Sequence, residues 1–307
     1  MATLKELIAK RIERLDSVPD NLQTAIEKQQ ERVFKQLLTD LKGLEIEDGK
    51  YVASKENLGK IAAITEQLKK NLFNKDYLDA IKTFALEIQT QAKLTNQIMS
   101  ELGDFTDKDL YSAIVRKSQQ NALLLLDENA IAAEVVQPLA DLLSNSVISN
   151  VGYLDAVESL RNFMLGNGDD ISGALAKYAA TYVKDAFAVS DRQYSKLVAE
   201  DIGFEFYEFS GAKTKGSRYF CCVRKGEIFH QKEIEEWGKT PSLWNKPKDA
   251  GGECGEQHGG GRNPNTNEST IFSYLGGYGC VDVLIPVATK YVPADVIGRA
   301  KAKGYIT

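Results

Sequence analysis

The four cysteines and two histidines are the residues of this chain best suited to metal binding or nucleophilic chemistry. Cys254 and His258 lie in one glycine-rich segment, Cys221 precedes it, and Cys280 follows it. Three thiolates and one imidazole are a ligand set typical of structural zinc. The sequence therefore predicts a zinc site at Cys221, Cys254, His258 and Cys280, with Cys222 as the alternative to its neighbour Cys221.

Other interpretations of the same residues stay open. Cys221 or Cys222 and Cys280 could be small buried core residues without a ligand. Either histidine could pair with a cysteine as base and nucleophile, which requires the two side chains within hydrogen-bond reach. We expect no disulfide, because the N-terminus Met1-Ala-Thr-Leu-Lys-Glu-Leu lacks the apolar stretch of a secretory signal and indicates a cytoplasmic protein.

No recognised catalytic motif is present in the sequence: it has no P-loop, dinucleotide fingerprint, nucleophile elbow or His-Glu-x-x-His. Glu233, Glu235 and Glu236 could serve as acid–base carboxylates, although such a run of charge is more typical of a solvated helix face. Trp237 and Trp244 are expected to cap a small core rather than stack on bases.

Composition and charge narrow the class of protein. The chain has 307 residues, of which 43% are hydrophobic and 26% charged, with a net charge of −5. These values are ordinary for a globular protein of up to two domains. Residues 201–307 carry 14 Lys+Arg against 13 Asp+Glu, so any DNA contact needs a local patch. No apolar run approaches the roughly 18 residues of a membrane span.

The elements that would position these residues change in type near residue 200. Before it, apolar residues recur at helical spacing. Pro19 should begin a second helix that pairs with the first as a hairpin, Asp48-Gly49 indicates a β-hairpin, and Ser54 is a candidate helix N-cap. Two domains are predicted, a helical body over 1–200 and a small Gly- and Cys-rich α+β domain over 201–307. The fold class is α+β.

Four strands are predicted in the second domain, 204–209, 217–223, 227–230 and 281–287, and the first of them alternates apolar and polar residues. A short helix is predicted over 293–303. The segment 240–267 is rich in Gly and Pro and is predicted to be a loop. A structureless loop of this length is uncommon unless it is functional or held by something, which agrees with a metal site in it.

A set of ordered motifs follows residue 150 and spans about half of the chain. The motifs are Ala199-Glu-Asp-Ile-Gly-Phe-Glu-Phe-Tyr-Glu-Phe-Ser-Gly, Thr214-x-x-Ser217-Arg-x-Phe-Cys, Gly226-Glu-Ile-Phe, Glu233-Ile-x-x-Trp237, Thr270-Ile-Phe, Gly276-Gly-Tyr-Gly-Cys and Leu284-Ile-Pro-Val. In this order they resemble the phage minor head protein, or head morphogenesis, family typified by the Mu-type minor head protein. The family pattern has Cys-Arg-His after the paired glycines, whereas here Val281 and Asp282 follow Cys280.

The resemblance implies a low-copy structural component of a tailed-phage virion, associated with the portal and the capsid interior and acting in head morphogenesis or genome delivery. The implied partners are phage portal and capsid proteins, with self-association through the helical body and DNA contact left open, and no membrane. The implied location is the virion, with assembly in the host cytoplasm. The resemblance implies no established enzymatic activity.

Two other functions compete with this one. The first is a zinc- or Cys/His-dependent hydrolase, nuclease or toxin-like effector that uses Cys254 or His258. The second is a helical adaptor protein unrelated to phage.

Overall fold

The computed structural model describes residues 3–103, 105–168, 171–211, 217–244, 262–277 and 280–307. The helices are α1 (Leu4–Leu41), α2 (Lys55–Leu72), α3 (Lys75–Leu102), α4 (Asp109–Leu125), α5 (Glu128–Ile131), α6 (Gln137–Ile148), α7 (Tyr153–Leu165), α8 (Ala174–Asp201), α9 (Tyr219–Cys222), α10 (Gln231–Lys239), α11 (Ile271–Tyr274) and α12 (Ala294–Ala302). The strands are β1 (Ile46–Glu47), β2 (Lys50–Tyr51), β3 (Gly166–Gly168), β4 (Ile171–Ser172), β5 (Phe206–Ser210), β6 (Ile228–His230) and β7 (Val283–Val287).

The predicted α+β class is confirmed, because most of the chain is helical and the sheets are small and antiparallel. A π-helical turn at Ala132–Val136 and two short 3-10 segments, Pro241–Trp244 and Thr289–Tyr291, complete the elements named above. In the part of the chain that the structure describes, no helix has both the length and the apolar character of a membrane span.

The chain forms two compact units, and each is built from separate stretches of sequence. One contains residues 1–17, 87–119 and 184–307, and the other contains residues 18–86 and 120–183. Neither coincides with the division near residue 200, which stays a prediction about which segments fold independently.

The unit of residues 18–86 and 120–183 confirms two local predictions. The turn between β1 and β2 places Asp48 and Gly49 at φ 47° and 75°, the left-handed conformation that an Asp-Gly hairpin turn needs. Ser54 caps α2, its hydroxyl accepting a hydrogen bond from the Asn57 backbone N–H at 3.1 Å. The Asn57 amide in turn donates to the carbonyls of Glu45 and Val52, so the hairpin is fastened to the start of α2.

The predicted pair of N-terminal helices is wrong, since α1 runs without interruption through Pro19. A proline inside a helix removes one backbone hydrogen bond and costs roughly 3 kcal/mol. Leu15, Val18 and Leu22 are all buried along one side of α1. Continuous packing of this stripe outweighs the local cost, so the helix does not break.

A fully buried ion pair holds the helices of the other unit. Arg11 of α1 donates to Asp191 of α8 through Nε, at 3.1 and 3.2 Å, and through Nη2, at 2.8 Å. Neither side chain has any solvent exposure. Gln91 of α3 donates its amide to the same carboxylate and to the Arg11 carbonyl, both at 3.1 Å. Three helices therefore converge on one carboxylate.

The same unit contains a three-stranded antiparallel sheet in the order β6-β5-β7. Three of the four predicted strands are confirmed as β5, β6 and β7, and the terminal helix is confirmed as α12. The central strand alternates faces. Phe206 packs with Val292, Val296 and Ala300 under α12, whereas Tyr207 and Phe209 enter the larger core that contains Phe220, Trp237 and Cys221.

The fourth predicted strand, 217–223, is wrong, because Tyr219–Cys222 forms the helical turn α9. Phe220, Cys221 and Cys222 are all buried, and a strand would point every second one to the opposite face. In the helical turn, all three consecutive side chains are buried. Phe220 stacks on Trp244 with ring centres 4.0 Å apart, and Trp237 also packs in this core, as predicted for both tryptophans.

We expect Asp191→Asn to destabilise the protein by about 3–5 kcal/mol, since it leaves the Arg11 charge buried without its partner. The measurement is the free energy of unfolding from denaturant titration. The matched control is Asp76→Asn, which breaks the Arg32–Asp76 pair whose side chains are 51% and 79% exposed. Exposed pairs contribute little, so equal losses in the two variants would contradict this account.

Candidate metal centre

Two of the four predicted ligands, Cys221 and Cys280, are brought together with Asp282. Cys221 lies in α9, and Cys280 and Asp282 lie just before β7. One ligand atom from each of the three residues lies within 4.8 Å of the other two, and all three residues are buried. The distances approach what a single ion spans, because zinc bonds to sulfur at about 2.3 Å and to carboxylate oxygen at about 2.0–2.2 Å. This buried group could hold a metal ion.

The other two predicted ligands, Cys254 and His258, lie outside the described residues. Cys221 and Cys280 are free thiols. Cys222 is disulfide-bonded, so the expectation that the chain contains no disulfide is wrong. The choice of Cys221 over Cys222 as the candidate ligand agrees with the geometry.

Asp282 is fixed by a buried lysine and lies close to the backbone of Gly211. Lys225 Nζ is 2.9 Å from Asp282 Oδ1, with side-chain exposures of 5% and 7%, and the same ammonium donates to Ser217 Oγ at 3.1 Å. A Cβ on Gly211 would lie 2.0 Å from Asp282 Oδ1. The other carboxylate oxygen, Oδ2, accepts a hydrogen bond from Cys280 Sγ at 3.7 Å. One oxygen therefore faces the lysine and the other faces the sulfurs.

Gly276 has no side chain, and this allows its backbone to lie close to the two sulfurs. A Cβ at this position would lie 2.4 Å from Cys221 Sγ and 2.8 Å from Cys280 Sγ, distances that real Cβ atoms do not adopt. The preceding residue, Leu275, is fully buried and has a φ of 32°. Left-handed backbone at a non-glycine residue costs energy and is kept only where surrounding packing enforces it. The backbone is thus held close against the sulfurs.

The two thiols shift each other's acidity. The Cys221 thiol donates a hydrogen bond to Cys280, and this bond, together with burial, raises the pKa of Cys221. The same bond lowers the pKa of Cys280, against the effect of burial and with help from the charge of Arg192. Arg192 also donates to the Asp282 carbonyl at 3.4 Å. Cys280 is therefore the more acidic of the two thiols, and a thiolate is the form that binds metals.

His230 belongs to a different part of this unit. It caps α10, where its Nδ1 accepts a hydrogen bond from the Lys232 backbone N–H at 3.2 Å. Its ring stacks on Tyr305, with centres 5.3 Å apart, and meets the edge of Phe206. Among the described residues, the group that contains the two free thiols does not include His230.

The glutamates considered as acid–base groups hold the C-terminal helix. Glu233 pairs with Arg299 at 3.3 Å and with Lys303 at 3.6 Å, and Glu236 lies 3.7 Å from Lys303. These ion pairs join α10 to α12. The contacts give the two carboxylates a structural role.

Sequence reasoning missed Asp282, Lys225 and Arg192 as parts of this cluster. A signal for the first was present, because Asp282 lies two residues after Cys280. Carboxylate oxygen is a zinc ligand as well as sulfur and imidazole nitrogen. No comparable signal marks Lys225 or Arg192, whose positions depend on how α9 and α8 pack.

We expect the stability of the protein to fall as the pH drops below about 6.5, the usual pKa of an unfolded histidine. Burial lowers the pKa of His230 in the folded state, an effect only partly opposed by Glu205 and other carboxylates. The folded state thus binds this proton less tightly than the unfolded state, and the contribution is intact above that pH and lost below it.

The free energy of unfolding, measured between about pH 8 and pH 5.5, tests this expectation. The control is His230→Asn, which keeps an N-cap acceptor and has no proton to gain. The loss on acidification should be smaller in this variant, and an equal loss in both proteins would assign the effect to other groups.

Comparison of the chain with protein families, with curated proteins and with solved structures finds no match.

Proposed function

We propose that this chain is a structural minor head protein of a tailed bacteriophage, associated with the portal and the capsid interior and acting in head morphogenesis or genome delivery. The observation that supports the proposal most strongly is where the resembling motifs lie in the fold. They supply the central strand β5, the turn α9, the helix α10 and the strand β7. Phe209, Phe220, Trp237, Phe272 and Leu284 from these motifs share one core. The motifs therefore pack together in one core.

The helical parts suit such a role, because long amphipathic helices can contact portal or capsid subunits or a second copy of the chain. Helices α1, α3 and α8 contain 38, 28 and 28 residues. Contact of these helices with portal subunits, capsid subunits or a second copy of the chain is part of the proposal.

A test is mass spectrometry of density-purified particles of the phage that encodes this chain. We expect the chain in intact particles, at a much lower copy number than the major capsid protein, and co-purification with portal protein after gentle disruption. The matched control is a non-structural protein of the same phage, which should be lost during purification. Absence of the chain from purified particles would contradict the proposal.

The ion proposed for the cluster is zinc, held by Cys221, Cys280 and Asp282. Two sulfurs and one carboxylate oxygen suit zinc. The fourth ligand is proposed to be His258. Bound zinc would supply folding energy by cross-linking α9 to β7. Burial of both thiols favours this structural role over a nucleophile that must reach a substrate.

We expect about one zinc per chain in the purified full-length protein, measured by elemental analysis. Cys221→Ser and Cys280→Ser should each lose most of it, because each removes one of three described ligand atoms. The control is Cys222→Ser, which changes the neighbouring cysteine and should retain zinc. Circular dichroism of every variant separates loss of metal from loss of fold.

Two results would contradict the zinc assignment. One is wild-type protein that contains no zinc and gains no stability when zinc is added. The other is equal zinc loss in Cys222→Ser and the two ligand variants. A hydrolytic activity that disappears in Cys254→Ala or His258→Ala proteins of intact fold would instead favour the enzyme alternative.

A further inference from the structure

The free thiols of Cys221 and Cys280 face each other although they are far apart in the chain. Their sulfur atoms lie within 4.8 Å and share a hydrogen bond. The neighbouring Gly276 has no side chain to separate them. Both elements that carry them are fixed nearby, because Lys225, which follows α9, is paired with Asp282, which precedes β7. A bond between the sulfurs would thus join two segments that are already held together.

We propose that Cys221 and Cys280 form a redox-active dithiol that closes reversibly to a disulfide by exchange with a small disulfide such as oxidised glutathione. Closure rests on the geometry of the pair alone. Its consequence for metal release rests on the proposed zinc site.

The exchange balances without any other reactant. The thiolate of one cysteine attacks a sulfur of oxidised glutathione, which forms a mixed disulfide and releases one glutathione. The second cysteine loses its proton and attacks the protein sulfur of the mixed disulfide, which releases the other glutathione. The two protein thiols are oxidised by two electrons, glutathione disulfide is reduced to two thiols, and the two protons end on them.

Closure and metal binding exclude each other, because zinc needs the sulfurs as thiolates. A reducing cytoplasm favours the open pair, and an oxidising environment outside the cell favours the closed one. The cluster could then hold zinc during assembly and release it when oxidised. Burial slows the entry of glutathione, so an equilibrium measurement is the appropriate test.

The test uses full-length protein with Cys222→Ser, which removes the neighbouring disulfide, incubated to equilibrium in glutathione buffers. After acid quenching, alkylation and tryptic digestion, mass spectrometry quantifies the peptides. Cleavage places Cys221 in residues 219–224, Cys254 in residues 249–262 and Cys280 in residues 263–290. We expect the peptide of residues 219–224 linked to that of residues 263–290.

The dependence on glutathione distinguishes closure from a simple mixed disulfide. Doubling reduced glutathione at constant oxidised glutathione should lower the ratio of closed to open protein about fourfold, whereas a mixed disulfide would fall about twofold. Cys280→Ser in the same background is the control, and it should give only the twofold response. Wild-type protein, with fragmentation to separate Cys221 from Cys222, repeats the measurement if the background variant does not fold.

Three results would overturn the inference: a link between Cys221 and Cys254 only, glutathione adducts without a link, or two alkylated thiols in every buffer. Samples with and without added zinc separate this inference from the zinc proposal. If the disulfide forms but the protein binds no zinc, only the zinc proposal is contradicted. If the protein binds added zinc but forms no disulfide in the sample without zinc, only the redox inference is contradicted.

Discussion

The buried ion pair between Lys225 and Asp282 is the constraint on which the C-terminal core depends. The Lys225 backbone N–H donates to the carbonyl of Cys221, so the lysine closes the turn that carries one sulfur. Asp282 follows the other sulfur by two residues. Removal of either charge would leave its partner buried and unpaired, which proteins tolerate poorly. The pair therefore fixes the distance between two segments that no sheet hydrogen bond joins directly.

The charges around the sulfurs favour loss of a proton from the pair. Lys225 and Arg192 are buried cations, and the hydrogen bond from Cys221 lowers the pKa of Cys280. A zinc ion would need both sulfurs as thiolates. Metal binding would then release a proton and weaken as the pH falls.

The sequence predicted those parts of the fold that depend on local chemistry. The Asp48-Gly49 turn, the Ser54 cap and the three strands of the sheet each follow from residues close together in the chain. Prediction failed at Pro19 and at Tyr219–Cys222, where packing decides. The buried stripe of Leu15, Val18 and Leu22 keeps α1 whole, and Phe220, Cys221 and Cys222 are buried together in a helical turn.

In the candidate site, too, sequence could predict some residues and not others. Residue type and order were enough to select Cys221 and Cys280, because cysteines are few and their chemistry is restricted. Asp282 is one of many carboxylates, and only its distance of two residues from a cysteine distinguishes it. Lys225 could not be selected at all, since its role arises from burial opposite Asp282. Burial depends on contacts between distant segments, which spacing does not encode.

Burial also limits what this cluster can do. A catalytic thiolate must meet its substrate, whereas Cys221 and Cys280 are 2% and 3% exposed. The left-handed backbone at Leu275 and the glycine at position 276 hold the chain close against the sulfurs. Such strain is kept where surrounding contacts enforce a function. The role that agrees with this geometry is to join α9 to the segment before β7 inside the core, through the proposed zinc ion or the proposed disulfide.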